Sequence, residues 1–143
     1  RKNAETIMTV RSDDGMDELS TTSKNQICML KNNVITKMIL DPQEVGLQKG
    51  NISDIQISSK EDAIESFVTV LNGSANKTKI EITALNAAGG LIVSNIADSF
   101  ADAVELALNV IHSGKAFDKL ENFVKNCGDI EKLEGVKKLW KMF

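Results

Sequence analysis

The feature that most constrains this chain is a change in the period of its apolar residues. Up to Leu40 they fall in short β-branched runs, and from Ser58 onward they recur at three- and four-residue steps. Strands therefore come first and helices last. Residues 6–10 read as a strand that runs into Ser12, Asp13, Asp14 and Gly15, a cluster of turn formers. Residues 26–30 and 34–40 are two further strand-like runs separated by Asn32 and Asn33. Asn tolerates the positive φ of a tight hairpin turn, so a β-hairpin is expected there. Pro42 has no N–H for a ladder and biases Asp41 toward extended geometry, which stops the second strand. A polar connection containing Gly46 and Gly50 follows.

In the helical part, Ala63, Ile64, Phe67, Val68 and Leu71 mark one face of a first helix. Ser58 and Glu61 stand at capping-box spacing before it, and Asn72-Gly73 ends it. A second helix is expected over residues 80–93, with Leu85, Ala88 and Ile92 on one face. Gly89 and Gly90 interrupt it at about 1 kcal/mol each relative to Ala, which suggests close backbone packing. A third starts at Ser99 with Asp102 three residues on, carries Phe100, Val104, Leu108 and Ile111, and stops at Ser113-Gly114. Shorter helices over 117–125 and 130–140 close the chain. No repeat, low-complexity tract or linker divides it.

Its 143 residues, 42% of them apolar, suffice for one domain. Apolar stretches such as Met38-Ile39-Leu40 stop well short of the roughly 18 residues of a membrane span. Seventeen Lys and Arg against 20 Asp and Glu leave a formal charge of −3, so no global positive field attracts nucleic acid or an anionic membrane. A soluble, cytoplasmic protein that meets any phosphate locally is expected. Cys28 and Cys127, far apart and accompanied by one His, make neither a zinc site nor a disulfide framework, and both are expected to be buried and reduced. The chain opens on Arg1-Lys2-Asn3 with a strand-like run almost at once, and it is read as a fragment of a longer protein.

The densest charge feature is Asp13-Asp14-Gly15-Met16-Asp17-Glu18, four carboxylates in six positions with only Arg11 close in sequence to compensate them. Such a loop repels itself unless it is solvated or neutralised. A solvated acidic turn is the simpler reading. The other is a shelf for magnesium, which takes hard oxygen ligands and is typically held by one or two carboxylates together with a substrate's phosphates.

A family resemblance reaches past this loop. The run from Asp14-Gly15-Met16-Asp17-Glu18-Leu19-Ser20 to Thr21-Thr22 resembles a segment of the anthranilate phosphoribosyltransferases, and Leu40-Asp41-Pro42-Gln43-Glu44-Val45-Gly46-Leu47 is similar to a second one. Asp62-Ala63, Val70-Leu71-Asn72-Gly73, Leu85-Asn86-Ala87-Ala88 and His112-Ser113-Gly114-Lys115-Ala116 resemble further family blocks in the same order. The resemblance implies a magnesium-dependent transfer of the phosphoribosyl group of 5-phosphoribosyl 1-pyrophosphate to anthranilate, in tryptophan biosynthesis. It implies that Asp17 and Glu18 ligate the metal, with Gly15 permitting the turn and Asp13 and Asp14 as background charge or turn formers. It further implies an α/β fold: residues 1–143 as the C-terminal part of the large catalytic domain, with the last strand of a mixed, mainly parallel sheet, an antiparallel hairpin and about five packing helices. The N-terminal helical domain through which such proteins dimerise, the glycine-rich phosphate loop and the anthranilate contacts have no counterpart here, so the fragment alone is expected to be inactive. Many members have His-Gly where this chain has Arg11-Ser12. The related nucleoside phosphorylases and a non-catalytic magnesium-binding or interaction module are the rival readings.

The remaining candidates take plainer roles. His112 is expected at a helix end, interacting with terminal carbonyls. Trp140, Met142 and Phe143 are expected to tuck into the core, and Lys137, Lys138 and Lys141 to form a solvated face.

Overall fold

The computed structural model describes residues 5–140. Three strands, β1 (Thr6–Ser12), β2 (Asn25–Lys31) and β3 (Val34–Leu40), form an antiparallel sheet in the order β1-β2-β3. The hairpin is where the two asparagines place it: Asn32 and Asn33 have φ of 53° and 61°, the left-handed pair that a two-residue turn between twisted strands needs. β1 joins this hairpin antiparallel, and no strand that would form the parallel part of the expected sheet is present among the described residues. Short 3-10 turns at Pro42–Val45 and Ile52–Asp54 lead to five helices, α1 (Lys60–Leu71), α2 (Lys77–Val93), α3 (Phe100–His112), α4 (Lys115–Cys127) and α5 (Ile130–Trp140). The hairpin and the helix count agree with the sequence pattern, and the α/β class with what the resemblance implies.

The sheet is two-faced because side chains alternate along each strand. Met8, Val10, Ile27, Met29 and Leu40 turn inward and meet Leu85, Ala88 and Ile92 of α2, with Phe100, Ala103 and Val104 of α3 completing the cluster. Helix α2 is the hub: Ala84, Leu85 and Ala88 have no exposed surface. Its first half packs Ile80 and Ala84 against Ala107 and Ile111 of α3. Full burial of one such Leu or Ile contributes on the order of 2 kcal/mol, so this helix carries much of the stability. The opposite sheet face keeps Ile7, Ile35 and Ile39 exposed.

Several expectations shift. The cap of α1 is Ser59, whose side chain accepts from the Asp62 amide, one residue beyond the expected Ser58–Glu61 pair. Ser58 instead donates through its amide and hydroxyl to the Asp62 carboxylate at 2.9 and 3.1 Å. Ile64 and Phe67 of the expected core stripe are exposed, and Val68 and Val70 are the buried pair. Helix α2 starts three residues early because Asn76 caps it through the Lys79 amide. Gly89 lies within 3.5 Å of Leu19 Cδ1 by its would-be Cβ, whereas Gly90 faces open space, so close packing applies to one glycine of the pair. Cys28 is half-buried and Cys127 exposed, at the outer sheet face and a helix end, against the expectation of two core thiols. Lys137 is not merely solvated: it pairs with Glu121 of α4 and with Glu134 at 2.9 Å, and lies 5.6 Å from the Phe117 ring centre. The hydrogen bond to Glu121 raises the Lys137 pKa. His112 stands at the end of α3, where it was expected, and is exposed. Lys141, Met142 and Phe143, with the Trp140 side chain, lie outside the described residues. No helix among those described is long and apolar enough to cross a membrane.

Gly90 supplies the first test. An added methyl meets nothing within 4 Å, so Gly90→Ala is expected to raise stability by about 1 kcal/mol through helix propensity alone. Urea unfolding measures it, and an unchanged or lower midpoint counts against this account of α2.

Candidate functional site

The acidic loop leaves β1 at Ser12 and returns to the core at Leu19, which is 2% exposed. Gly15, at φ +95°, makes the turn, and its amide donates to the Ser12 carbonyl at 3.2 Å. The loop's backbone is then pinned by side chains rather than by secondary structure. Asn86 of α2 accepts from the Leu19 amide at 3.0 Å and donates to the Leu19 carbonyl at 2.7 Å. One residue on, Asn25 of β2 accepts from the Ser20 amide at 2.7 Å and donates to the Ser20 carbonyl at 2.9 Å. Each asparagine therefore does for an isolated peptide what a neighbouring strand does in a sheet.

The four carboxylates fall into two pairs. Asp13 accepts from Gln26 Nε2 at 2.8 Å. Asp14 accepts from the hydroxyls of Ser12, Ser20 and Thr22, the second at 2.6 Å, and from the Met16 amide at 3.3 Å. Burial pushes the Asp14 carboxyl up, but hydrogen bonds from Ser12, Ser20, Thr22 and Met16 outweigh it and hold the group well below the usual carboxylate range. Asp17 and Glu18 are exposed and accept no hydrogen bond and form no ion pair among the described residues. They are the loop's free oxygen donors, the chemistry that suits a hard divalent cation. No cluster of three or more His, Cys, Asp or Glu able to hold a metal occurs among the described residues, so protein side chains alone do not make a complete cation shell there.

Glu18 also borders an open groove of about 320 Å³ walled by Ile57, Phe67 and Ile82. The cation lining that groove, Lys79, is already engaged, donating to Ser66 Oγ of the same groove at 2.5 Å and lying 3.9 Å from Asp62. The family resemblance singled out Asp17 and Glu18, and the sequence reading assigned no role to the side chains that pin the loop around them, Asn25, Asn86, Ser20 and Thr22. Besides its place in a block of the family resemblance, Asn86 is marked as an amide inside the apolar run Leu85-Asn86-Ala87-Ala88 of a buried helix, where an unpaired polar group would be costly.

Residues 2–117 match the family model described as glycosyl transferase family, a/b domain. The anthranilate phosphoribosyltransferase of Nitrosopumilus maritimus (strain SCM1) is 60% identical over 136 residues, 95% of this chain and 39% of that protein. That of Cenarchaeum symbiosum (strain A) is 40% identical over 129 residues, 90% of this chain and 38% of its own length. The chain thus spans roughly two fifths of the curated relatives it matches. The crystal structure of anthranilate phosphoribosyltransferase from Thermus thermophilus superposes with a TM-score of 0.76 at 25% identity, covering 84% of this chain and 35% of that one. The fold is shared at 23% identity and a TM-score of 0.69 with the Saccharomyces cerevisiae enzyme in complex with PRPP and Mg, over 82% of this chain and 34% of that one.

Two outcomes check the geometry. Asn86→Ala leaves the Leu19 amide and carbonyl without partners and is expected to cost about 2 kcal/mol in urea unfolding; a loss within error means that water replaces the clamp. Because the Asp14 carboxyl is depressed in the fold, its contribution is fully present above the unfolded pKa of about 4 and is lost as pH falls below it. The stability gap between wild type and Asp14→Ala should therefore shrink between about pH 5 and pH 2.5. A gap constant with pH would separate Asp14 from acid sensitivity.

Proposed function

The chain belongs to the glycosyl transferase family, matching its a/b domain, and on that footing we propose that it forms part of an anthranilate phosphoribosyltransferase. The anthranilate amine attacks C1 of the ribose of 5-phosphoribosyl 1-pyrophosphate. A C–N bond forms, the C–O bond to pyrophosphate breaks, pyrophosphate leaves with the bonding pair and the amine loses a proton. The observation that carries this reading is the division of the acidic loop: two carboxylates are spent on protein hydrogen bonds, and Asp17 and Glu18, the pair the family resemblance selects, are left open.

Asp17 and Glu18 are the residues that hold magnesium on this reading. Bound there, the ion supplies neutralisation of charge on the departing pyrophosphate. Everything else is positioning. Gly15 lets the chain turn so that the pair faces outward, Asn86 fixes the residue after Glu18, and buried Leu19 prevents the loop from lifting away. Residues 1–143 act as the C-terminal part of the catalytic α/β domain. The glycine-rich phosphate loop, the anthranilate contacts and the helical domain of a homodimer are supplied by sequence beyond the matched two fifths, in a cytoplasmic enzyme.

The test follows anthranilate fluorescence after addition of 5-phosphoribosyl 1-pyrophosphate and magnesium to the full-length protein that carries this chain. Wild type should consume anthranilate, and Asp17→Asn/Glu18→Gln should be slower by roughly a hundredfold or more. The 143-residue chain by itself should be inactive. Phosphate-dependent cleavage of a nucleoside in place of this reaction would assign the protein to the phosphorylases. Metal binding without any turnover would leave a non-catalytic module.

A further inference from the structure

One side chain touches both ends of the acidic loop. Asp14 accepts from Ser12 Oγ at the end of β1, and from Ser20 Oγ at 2.6 Å and Thr22 Oγ1 beyond the loop's return. Its neighbours reinforce the closure: the Met16 amide donates to Ser12 Oγ at 3.1 Å, and the Asp14 amide donates to Ser23 Oγ at 3.1 Å. Ser12 and Ser20 are buried, at 1% and 0% exposure, so these hydroxyls have little water to turn to. A carboxylate accepts through both oxygens, whereas an amide offers only one acceptor and would have to reverse some of these bonds. Like charges at Asp13, Asp14, Asp17 and Glu18 work in the opposite direction and favour an open, solvated loop.

We propose that Asp14, clasped by the hydroxyls of Ser12, Ser20 and Thr22, is a positioning residue that holds the Asp17–Glu18 pair in its cation-receiving arrangement before any cation arrives. This rests on the metal reading given above. It differs from a background-charge role in one checkable way: removing the donor hydroxyls leaves every carboxylate in place, so an effect through charge vanishes and an effect through position remains.

The experiment titrates Mn²⁺ into the full-length protein and reads the free ion by electron paramagnetic resonance. Amide hydrogen exchange at Gly15 and Met16, whose amides donate within the loop, is measured in parallel without metal. Ser12→Ala/Thr22→Val should speed that exchange and weaken Mn²⁺ binding roughly tenfold, the usual scale for groups that orient metal ligands. Thr22→Val alone, at a half-buried surface position, should show the same trend in a protein that still unfolds cooperatively. Thr22→Ser, which keeps the hydroxyl, should restore both readouts. Unchanged exchange and affinity in the hydroxyl variants, with binding lost in Asp17→Asn/Glu18→Gln, overturns the positioning role alone. Binding that survives Asp17→Asn/Glu18→Gln overturns the metal assignment and the positioning role together.

Discussion

The structure depends on how a stretch of backbone without secondary structure enters the core. Leu19 and Ser20 are buried, yet neither belongs to a strand or a helix, so their amides and carbonyls need partners that no ladder supplies. Two asparagines provide them, one from β2 and one from α2, each reading both polar groups of a single residue. Asn25 in addition donates to the Leu40 carbonyl at 3.4 Å, which ties the loop to the end of β3. The same few residues therefore join sheet, loop and central helix, and Leu19 sits in the cluster they share. Leaving such groups unpaired costs about 1–3 kcal/mol each, comparable with burying a whole apolar side chain.

What was legible in the sequence was local. The Asn32-Asn33 turn, the Ser99 cap and the stop at Asp41-Pro42 are each decided by the conformational limits of one or two residues, and each lies where the pattern puts it. Burial was less legible because it depends on what lies opposite. Ile64 and Phe67 have helical spacing but point away from the core, and Cys127 ends an amphipathic helix with no buried residue. Lys137 has the sequence context of a surface lysine and becomes an interhelical link because α4 places Glu121 within reach. In the loop, Asp17 and Glu18 stood out through their motif. Asp14 did not, because its role lies in hydroxyls six and eight residues away that are brought back by the turn.

The departure from the family at Arg11-Ser12 acquires a physical meaning in this arrangement. A glycine at the second of these positions has no hydroxyl, whereas Ser12 donates to Asp14 and accepts the Met16 amide. Bracing at the strand end is thus a property of this chain's own residue. Arg11 is exposed on the outer sheet face beside Gln26, whose amide is already donated to Asp13. The strand end thereby separates one carboxylate for the sheet, one for the turn and two for solvent.

On the proposed metal reading, that separation governs the cost of receiving a cation. Fixing the backbone of one mobile residue costs about 1–2 kcal/mol, so a loop that had to order residues 15–18 on binding would forfeit several kcal/mol of affinity. The attraction of two exposed carboxylates for a divalent ion in high dielectric is of similar size and is screened by salt. Ordering and attraction would then nearly cancel. With Asp14 clasped and Leu19 anchored, the ordering is completed when the protein folds, and the core that Leu19 helps to build bears it. A loop of four like charges is in this way held closed by neutral hydroxyls and amides, with the two unsatisfied carboxylates left facing solvent.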